Sequence, residues 1–413
     1  MSTKTTYKQT ELGLIPEDWE VKKLGELGKI INGLTYSPEN IKENGTLVLR
    51  SSNVQNDKIV YDDNVFVEEN ISFNPTKKDD VLICVRNGSK GLIGKTALID
   101  EQASNVAFGA FMAIYRSNSN NYIYNYFKSN YFFKEVHKNL GATINSINNN
   151  DLKKFKIPVP PLPEQKKIAD CLSTWDSAIE KQSALINALT DRKKALMQQL
   201  LTGKKRLPGF SGEWKEVKLG SLGKTYNGLT GKTKEDFGEG KPFITYMNIF
   251  SNPKINISNF EYVKMGVNEN QNKAIYGDIF FTVSSETPNE VGMASVLLDE
   301  INDLYLNSFC FGFRLNDFKN LLPEFSSYLF RNDLFRKDVY KLAQGSTRFN
   351  LSKLELMKIK IKLPSFEEQT AIAEILATAD RELQLQKEKL AHLQLQKKGL
   401  MQVLLTGKKR LLN

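Results

Sequence analysis

Two stretches of the chain carry apolar residues at alternating spacings of three and four. The first holds Leu172, Trp175, Ile179, Gln182, Ile186, Leu189, Lys193, Leu196 and Leu200. The second holds Leu376, Ala379, Leu383, Gln386, Leu390, Leu393, Lys397, Leu400 and Leu404. This alternation keeps a narrow stripe on one side of an α-helix and predicts two long helices with coiled-coil seams. The first should start near Glu164, where PPLPEQ ends the preceding element. Both stripes place Gln and Lys at the same two positions, 182/386 and 193/397. Polar seam residues cost stability but fix register, because a slipped pairing would bury them without partners. A narrow stripe needs a narrow partner, so the helices are expected to pair with each other rather than lie on separate domains. One antiparallel register sets Leu172 against Leu400, Ile179 against Leu393, Leu189 against Leu383 and Leu196 against Leu376. It puts Lys397 beside Trp175 and Lys193 beside Ala379, with both ammonium groups reaching water. A shift by one heptad stays open.

Outside these stripes the pattern is mixed. DVLICV, GKTALID, VAFGAFMAIY, YGDIFFTVSS and FCFGFRL are short β-branched and aromatic runs, read as strands. YIYNYFKSNYFFKEVHKNL and FSSYLFRNDLFRKDVYKLA each read as one helix; Tyr328, Leu329, Phe335, Val339 and Leu342 fit helical spacing.

The chain is also written twice. DWEVKKLGELGKIINGLT recurs as EWKEVKLGSLGKTYNGLT, and Trp19, Gly25 and Gly33 return as Trp214, Gly220 and Gly228. GATINSINNNDLKKFKIPVPPLPEQ recurs as GSTRFNLSKLELMKIKIKLPSFEEQ, and LLTGKKRL occurs at 200–207 and 404–411. Similar segments thus frame two dissimilar middles. The fold expected is α+β: two mixed α/β domains joined by two long helices in an antiparallel coiled coil, with a pseudo-twofold repeat. The segments are 1–160, 161–207, 208–360 and 361–413.

The formal net charge of +10 adds a preference for a polyanion, nucleic acid first. No stretch approaches the roughly 20 apolar residues of a membrane span. The N-terminus shows no secretory pattern. Cys84, Cys171 and Cys310 are far apart and outside any C-x-x-C pair, and the only histidines are His137 and His392. Neither a disulfide framework nor a metal site is expected, and a cytoplasmic location fits.

Catalytic motifs fail on inspection. SKGLIGKT resembles a phosphate-binding loop, but Ser89 stands where its first glycine should be, and a strand rather than a helix follows. Glu20-Val21-Lys22 and Glu216-Val217-Lys218 mimic the tail of a nuclease motif without the partner carboxylate that holds an ion. They read instead as each domain's first strand. No glycine-rich cofactor loop or Asn-Pro-Pro-aromatic tetrad occurs.

Several loops suit duplex DNA. LRSSN and TYMNI occupy matching positions, as do VRNGSKG and VSSETPN, and GATINSINNN and GSTRFN close the series. Arg, Asn, Ser and Thr bond base edges and phosphates. The DNA-facing residues expected are Arg50, Asn53, Arg86, Asn87, Lys90, Lys95 and Asn145 in the first half. In the second they are Thr245, Asn248, Ser284, Ser285, Thr287, Arg348 and Asn350. At any one position a turn-filling role competes; the loops together, the basic charge and the duplication favour DNA.

KQTELGLIPEDWEVKKLGEL, GATINSI and GSTRFNL, PPLPEQKKIA and LLTGKKRLPGFSGEW resemble the signature stretches of Type I restriction-modification specificity subunits. The resemblance covers the whole chain, and only LPSFEEQ departs from PPLPEQ. It implies two target recognition domains, 1–160 and 208–360, each reading half of a bipartite asymmetric site in double-stranded DNA. It implies that the helical regions bind two methyltransferase subunits, which restriction/translocase subunits then join. The chain itself would be non-catalytic and cofactor-free. S-adenosylmethionine, ATP and magnesium would act on the partners, giving adenine methylation and ATP-dependent cleavage. A coiled-coil scaffold that binds proteins without DNA specificity is the competing reading.

Overall fold

The computed structural model describes residues 6–140 and 145–412. It divides into two units, Met1–Ser183 with Lys389–Asn413, and Ala184–Glu388.

In the first unit a four-stranded antiparallel sheet runs in the order Thr96–Leu98, Val81–Cys84, Met112–Arg116, Lys29–Asn32. All four residues of Val81–Cys84 are buried, because the strand is covered on both faces. Alternate side chains of a strand point to opposite faces. Val81 and Ile83 therefore join one core with Tyr115, Phe127, Phe132 and Leu172, while Leu82 and Cys84 join another with Leu49, Phe108 and Ile114. A second sheet pairs Ala107–Phe108 in parallel with Thr46–Leu49. Glu20–Lys23 pairs antiparallel with Lys156–Val159, so the expected strand forms, but Tyr7–Thr10 and Gly13–Pro16 precede it and it is not the first.

The second unit repeats this plan. Its sheet runs Gly223–Asn227, Cys310–Leu315, Ile279–Thr282, Ala294–Val296. Ile279 and Phe281 face one core and Phe280 the other. Tyr305–Leu306 pairs in parallel with Phe237–Ile244, and Lys215–Lys218 antiparallel with Lys360–Leu363.

The aromatic helix expected in each half is two helices. Asn120–Phe127 is followed by Asn130–Asn139, and Pro323–Leu329 by Asp333–Lys341. The break lies where Ser129 and Asn332 accept backbone N–H groups of the second helix, at Phe132 and at Leu334 and Phe335. These side chains start a new helix, and that competes with continuing the old one.

The long helices are Leu162–Leu200 and Phe366–Leu404, each of 39 residues. Every seam residue expected from the heptads is buried or half-buried, while Leu185, Leu385 and Leu395 face solvent. Within the first unit Glu164 meets Arg410 and Asp176 meets Lys397; within the second, Lys193 meets Asp380 and Arg206 meets Glu368. Numbers rise on one strand of these contacts as they fall on the other, so the facing segments in each unit run antiparallel. The two lysines differ from expectation. Lys397 is buried and bonds Asp176, and Lys193 bonds Asp380. A carboxylate on the facing helix segment, the residue after the expected neighbour, supplies the compensation that water was expected to give.

A second pair of contacts explains the repeated LLTGKKRL. Each copy turns through a glycine in the left-handed region, Gly203 at φ 69° and Gly407 at φ 68°, a helix-ending conformation that a side chain disfavours. The turn delivers Arg410 to both oxygens of Glu164 at 2.8 Å and to Asp18, and Trp19 Nε1 donates to Glu164 at 3.0 Å. In the second unit Arg206 grips both oxygens of Glu368 at 2.7 Å, and Trp214 Nε1 donates to Glu368 at 3.2 Å. The repeated Trp, Glu and Arg thus form one clasp in each unit.

Candidate nucleic-acid interface

In the first unit four loops meet at the end of the central sheet. The backbone N–H groups of Val85 and Arg86 both donate to the Phe111 carbonyl, at 3.0 and 3.1 Å. Asn87 donates from its backbone to the Asn145 carbonyl at 3.2 Å, and from its side chain to Ser51 Oγ at 3.0 Å. Asn145 Nδ2 donates to the Gly88 carbonyl at 2.9 Å. Residues far apart in sequence, from 50–53, 85–90, 109–112 and 145–146, therefore form one surface. Gly141, Ala142, Thr143 and Ile144 of the GATINS segment lie outside the described residues.

The expected residues differ in their freedom to meet a ligand. Arg86 and Lys90 are exposed; Asn87 and Asn145 are half-buried, Asn87 with its Nδ2 on Ser51 and its Oδ1 accepting the Ser89 N–H, and Asn145 with its Nδ2 on the Gly88 carbonyl. Arg50 is half-buried, and its guanidinium donates to Asp63 at 2.8 Å. Lys95 is half-buried at the end of the loop. Asn53 is a correction: it is 0% exposed. Its Oδ1 accepts the Arg50 N–H, and its Nδ2 donates to the Val60 carbonyl and Asn64. An amide spent this way holds the loop and has nothing left for a base edge.

The second unit assembles the same surface with other residues. Ser284–Ser285 pairs with Phe349–Asn350. The Val283 N–H donates to the Phe309 carbonyl at 3.1 Å, and Tyr246 Oη to the Ser284 carbonyl at 2.8 Å. Thr287, Arg348 and Asn350 are exposed. Thr245 caps the helix Tyr246–Ser251 by accepting the Asn248 N–H. Asn248 repeats the correction of Asn53: it is 0% exposed, with Nδ2 donating to the Asn256 and Asn259 carbonyls. Ser284 and Ser285 are buried, with the Ser285 hydroxyl on Glu290, so their part is to carry the loop.

Ion pairs fasten the other end of each central sheet. Arg116 grips Asp80 through both oxygens, and Arg314 grips Asp278 in the same way. These bonds push both guanidinium pKa values up. The second unit adds Tyr226 Oη on Asp278. It also holds Arg331, which donates to the carbonyls of Ile249, Phe250, Asn252 and Ala294; burial pushes its pKa down to about 10. This arginine ties the end of the Thr245 helix to the sheet.

Sequence reasoning missed Phe111 and Phe309, which sit among these loops 56% and 61% exposed. The strand readings of VAFGAFMAIY and FCFGFRL included both, whereas in the structure each lies in the turn before Met112–Arg116 or Cys310–Leu315.

Among the described residues, no group of three or more His, Cys, Asp or Glu could hold a metal ion. Burial pushes the Cys84 thiol up to about 11 and the Cys310 thiol further, away from the thiolate a nucleophile needs. No helix among the described residues is long and apolar enough to cross a membrane.

The family model described as Type I restriction modification DNA specificity domain matches residues 16–191 and 211–395. A putative type I restriction enzyme MjaX specificity subunit from Methanocaldococcus jannaschii is 29% identical, over 98% of this chain and 96% of that one. The EcoKI specificity subunit of Escherichia coli is 26% identical, over 87% and 82%. Among solved structures, a chain of a type I R-M system has a TM-score of 0.62 at 17% identity, covering 96% and 99%. The M. genitalium S subunit gives 0.56 at 19%, covering 94% and 96%. With two copies of the family domain spanning most of its length, and the same duplication in its fold, the chain belongs to the Type I restriction-modification DNA specificity subunits.

Proposed function

We propose that each recognition domain reads one half of a bipartite, asymmetric site in double-stranded DNA. The two long helices form an antiparallel coiled coil, related by a pseudo-twofold axis, that docks two methyltransferase subunits. Restriction/translocase subunits complete the assembly, which methylates adenine and cleaves DNA at the expense of ATP. S-adenosylmethionine, ATP and magnesium act on those partners, in the cytoplasm. This chain contributes no catalytic group.

One observation carries the reading. Both units bring the same four loops to one surface on the same backbone contacts, yet fill them differently. RNGSKG stands in one where SSETPN stands in the other. Two surfaces of one design and two chemistries suit two different base sequences. The seam ion pairs, Asp176 with Lys397 and Asp380 with Lys193, support the coiled coil because each fixes the same register.

The test is reconstitution with methyltransferase subunits and mapping of methylated adenines genome-wide. The expected motif is two short, unlike half-sites separated by unread base pairs. One uninterrupted motif, or methylation by this chain alone, would overturn the proposal.

A further inference from the structure

The NGLT segment of each repeat has no part in the clasp, in the seam or among the expected DNA-facing residues. Its glycines show what it does. A Cβ added to Gly33 would lie 2.1 Å from the Gly109 carbonyl oxygen, and one added to Gly228 would lie 2.1 Å from that of Asn307. Leu34 N–H donates to the Phe108 carbonyl at 2.7 Å, and Leu229 N–H to the Leu306 carbonyl at 2.7 Å. The segment therefore presses its bare backbone against the turn that enters the strand Met112–Arg116, or Cys310–Leu315 in the second unit.

That turn carries one exposed aromatic ring in each unit, Phe111 or Phe309. Its carbonyl is fastened to the next loop by Val85 and Arg86, or by Val283. In the second unit Asn307 Oδ1 also accepts the Phe309 N–H at 2.8 Å. The backbone is held from two sides while the ring stays in solvent. The residues around it differ between units, and Arg86 stands over Phe111 at 5.7 Å. A large ring more than half exposed gains little from the domain itself, and a phenyl ring has no use for a phosphate. A base offers it two apolar surfaces, the thymine methyl group and an unstacked face.

We infer that Phe111 and Phe309 are specificity-determining residues, each pressing its ring on a base of its own half-site, and that Gly33 and Gly228 let the NGLT segment position them. The inference rests on the DNA-reading function proposed above.

The assembled complex with methyltransferase subunits is tested on duplexes carrying its mapped target, by competition binding. F111A should lose about tenfold to a hundredfold in affinity for the target. It should also lose discrimination against base changes in one half-site only, and F309A in the other. Their melting temperatures should equal that of the parent, since the rings are exposed. F111L should keep part of the affinity. Uracil in place of each thymine separates the two surfaces: a loss matching F111A assigns the ring to a methyl group, and no loss assigns it to a base face. Unchanged binding by both alanine variants overturns the inference while the DNA reading stands. So does a fall in melting temperature, because the rings would then serve the fold. A parent complex that prefers no sequence would instead defeat the DNA reading itself.

Discussion

The two units agree where they are held together and disagree where they meet solvent. Trp19, Glu164 and Arg410 in one are matched by Trp214, Glu368 and Arg206 in the other; Arg116 with Asp80 is matched by Arg314 with Asp278. Between these braces, the loop after the central strand is basic in the first unit, with Arg86 and Lys90. In the second it carries Glu286 and Glu290. Buried ion pairs tolerate little change, because removing one partner strands the other charge. Exposed loop residues change at little cost to the fold. The contrast separates a framework that must be repeated from a surface free to diverge.

The largest effect should come from removing one half. Residues 1–207 keep the first recognition domain and helix but lose the 389–412 segment that supplies Arg410 and Lys397. A second copy can supply Arg206 and Lys193 from the same motif positions. The fragment should sediment as a dimer and, with methyltransferase subunits, modify a palindrome built from one half-site, as twofold proteins do. A folded monomer would show that the halves are not interchangeable.

Next, Glu164→Ala should lower stability in denaturant unfolding by roughly 3–5 kcal/mol, the usual cost of breaking a buried pair. Glu368→Ala should cost less, since the Arg206 side chain is 27% exposed against 9% for Arg410 and can regain water. Equal losses would mean that Asp18, which still pairs with Arg410 in Glu164→Ala, offsets the deeper burial of that arginine.

Third, Arg348→Ala should weaken binding to one half-site by about 1–3 kcal/mol and leave unfolding unchanged. Asn53→Ala should do the reverse, lowering stability, because Val60 and Asn64 lose their partner.

The smallest effect is in acid. Lys241 and Lys273 hold Asp303 down to about 2, and the Gly266 N–H, with Lys232 and Gln271, holds Glu269 at about 2. Folded pKa values below the unfolded ones give stabilisation that is complete above the ordinary carboxylate range and fades as pH falls toward 2. Stability followed from pH 5 to 2 should fall less steeply in Asp303→Asn than in the parent. Both groups lie on the surface, so the difference should be slight and should shrink with salt.

Much of this organisation was legible in the residues. The heptads gave both long helices and their buried sides, because a three–four spacing has one structural solution. The repeats gave two units of one plan. Less could be read at the recognition surface. Asn53 and Asn248 looked like base readers because Asn serves equally at a base edge and in a loop; only the chain's return at Val60 and Asn256 decides between them. Phe111 and Phe309 escaped because exposure of a turn residue depends on strands distant in sequence. The break within each aromatic helix was hidden because Ser129 and Asn332 matter only once their side chains cap.

The core of the first unit contains Met401, Leu404 and Leu405 together with Ile15 and Trp19, while the second unit is one continuous stretch, Ala184–Glu388. During synthesis, the domain begun first must therefore wait for residues 401–405, and the domain begun second can close before it. Joining the ends across so long an insertion adds a loop-closure cost that grows only with the logarithm of its length. The waiting is a matter of order rather than of great energy. A nascent chain stopped short of Met401 would carry an open apolar core beside Trp19.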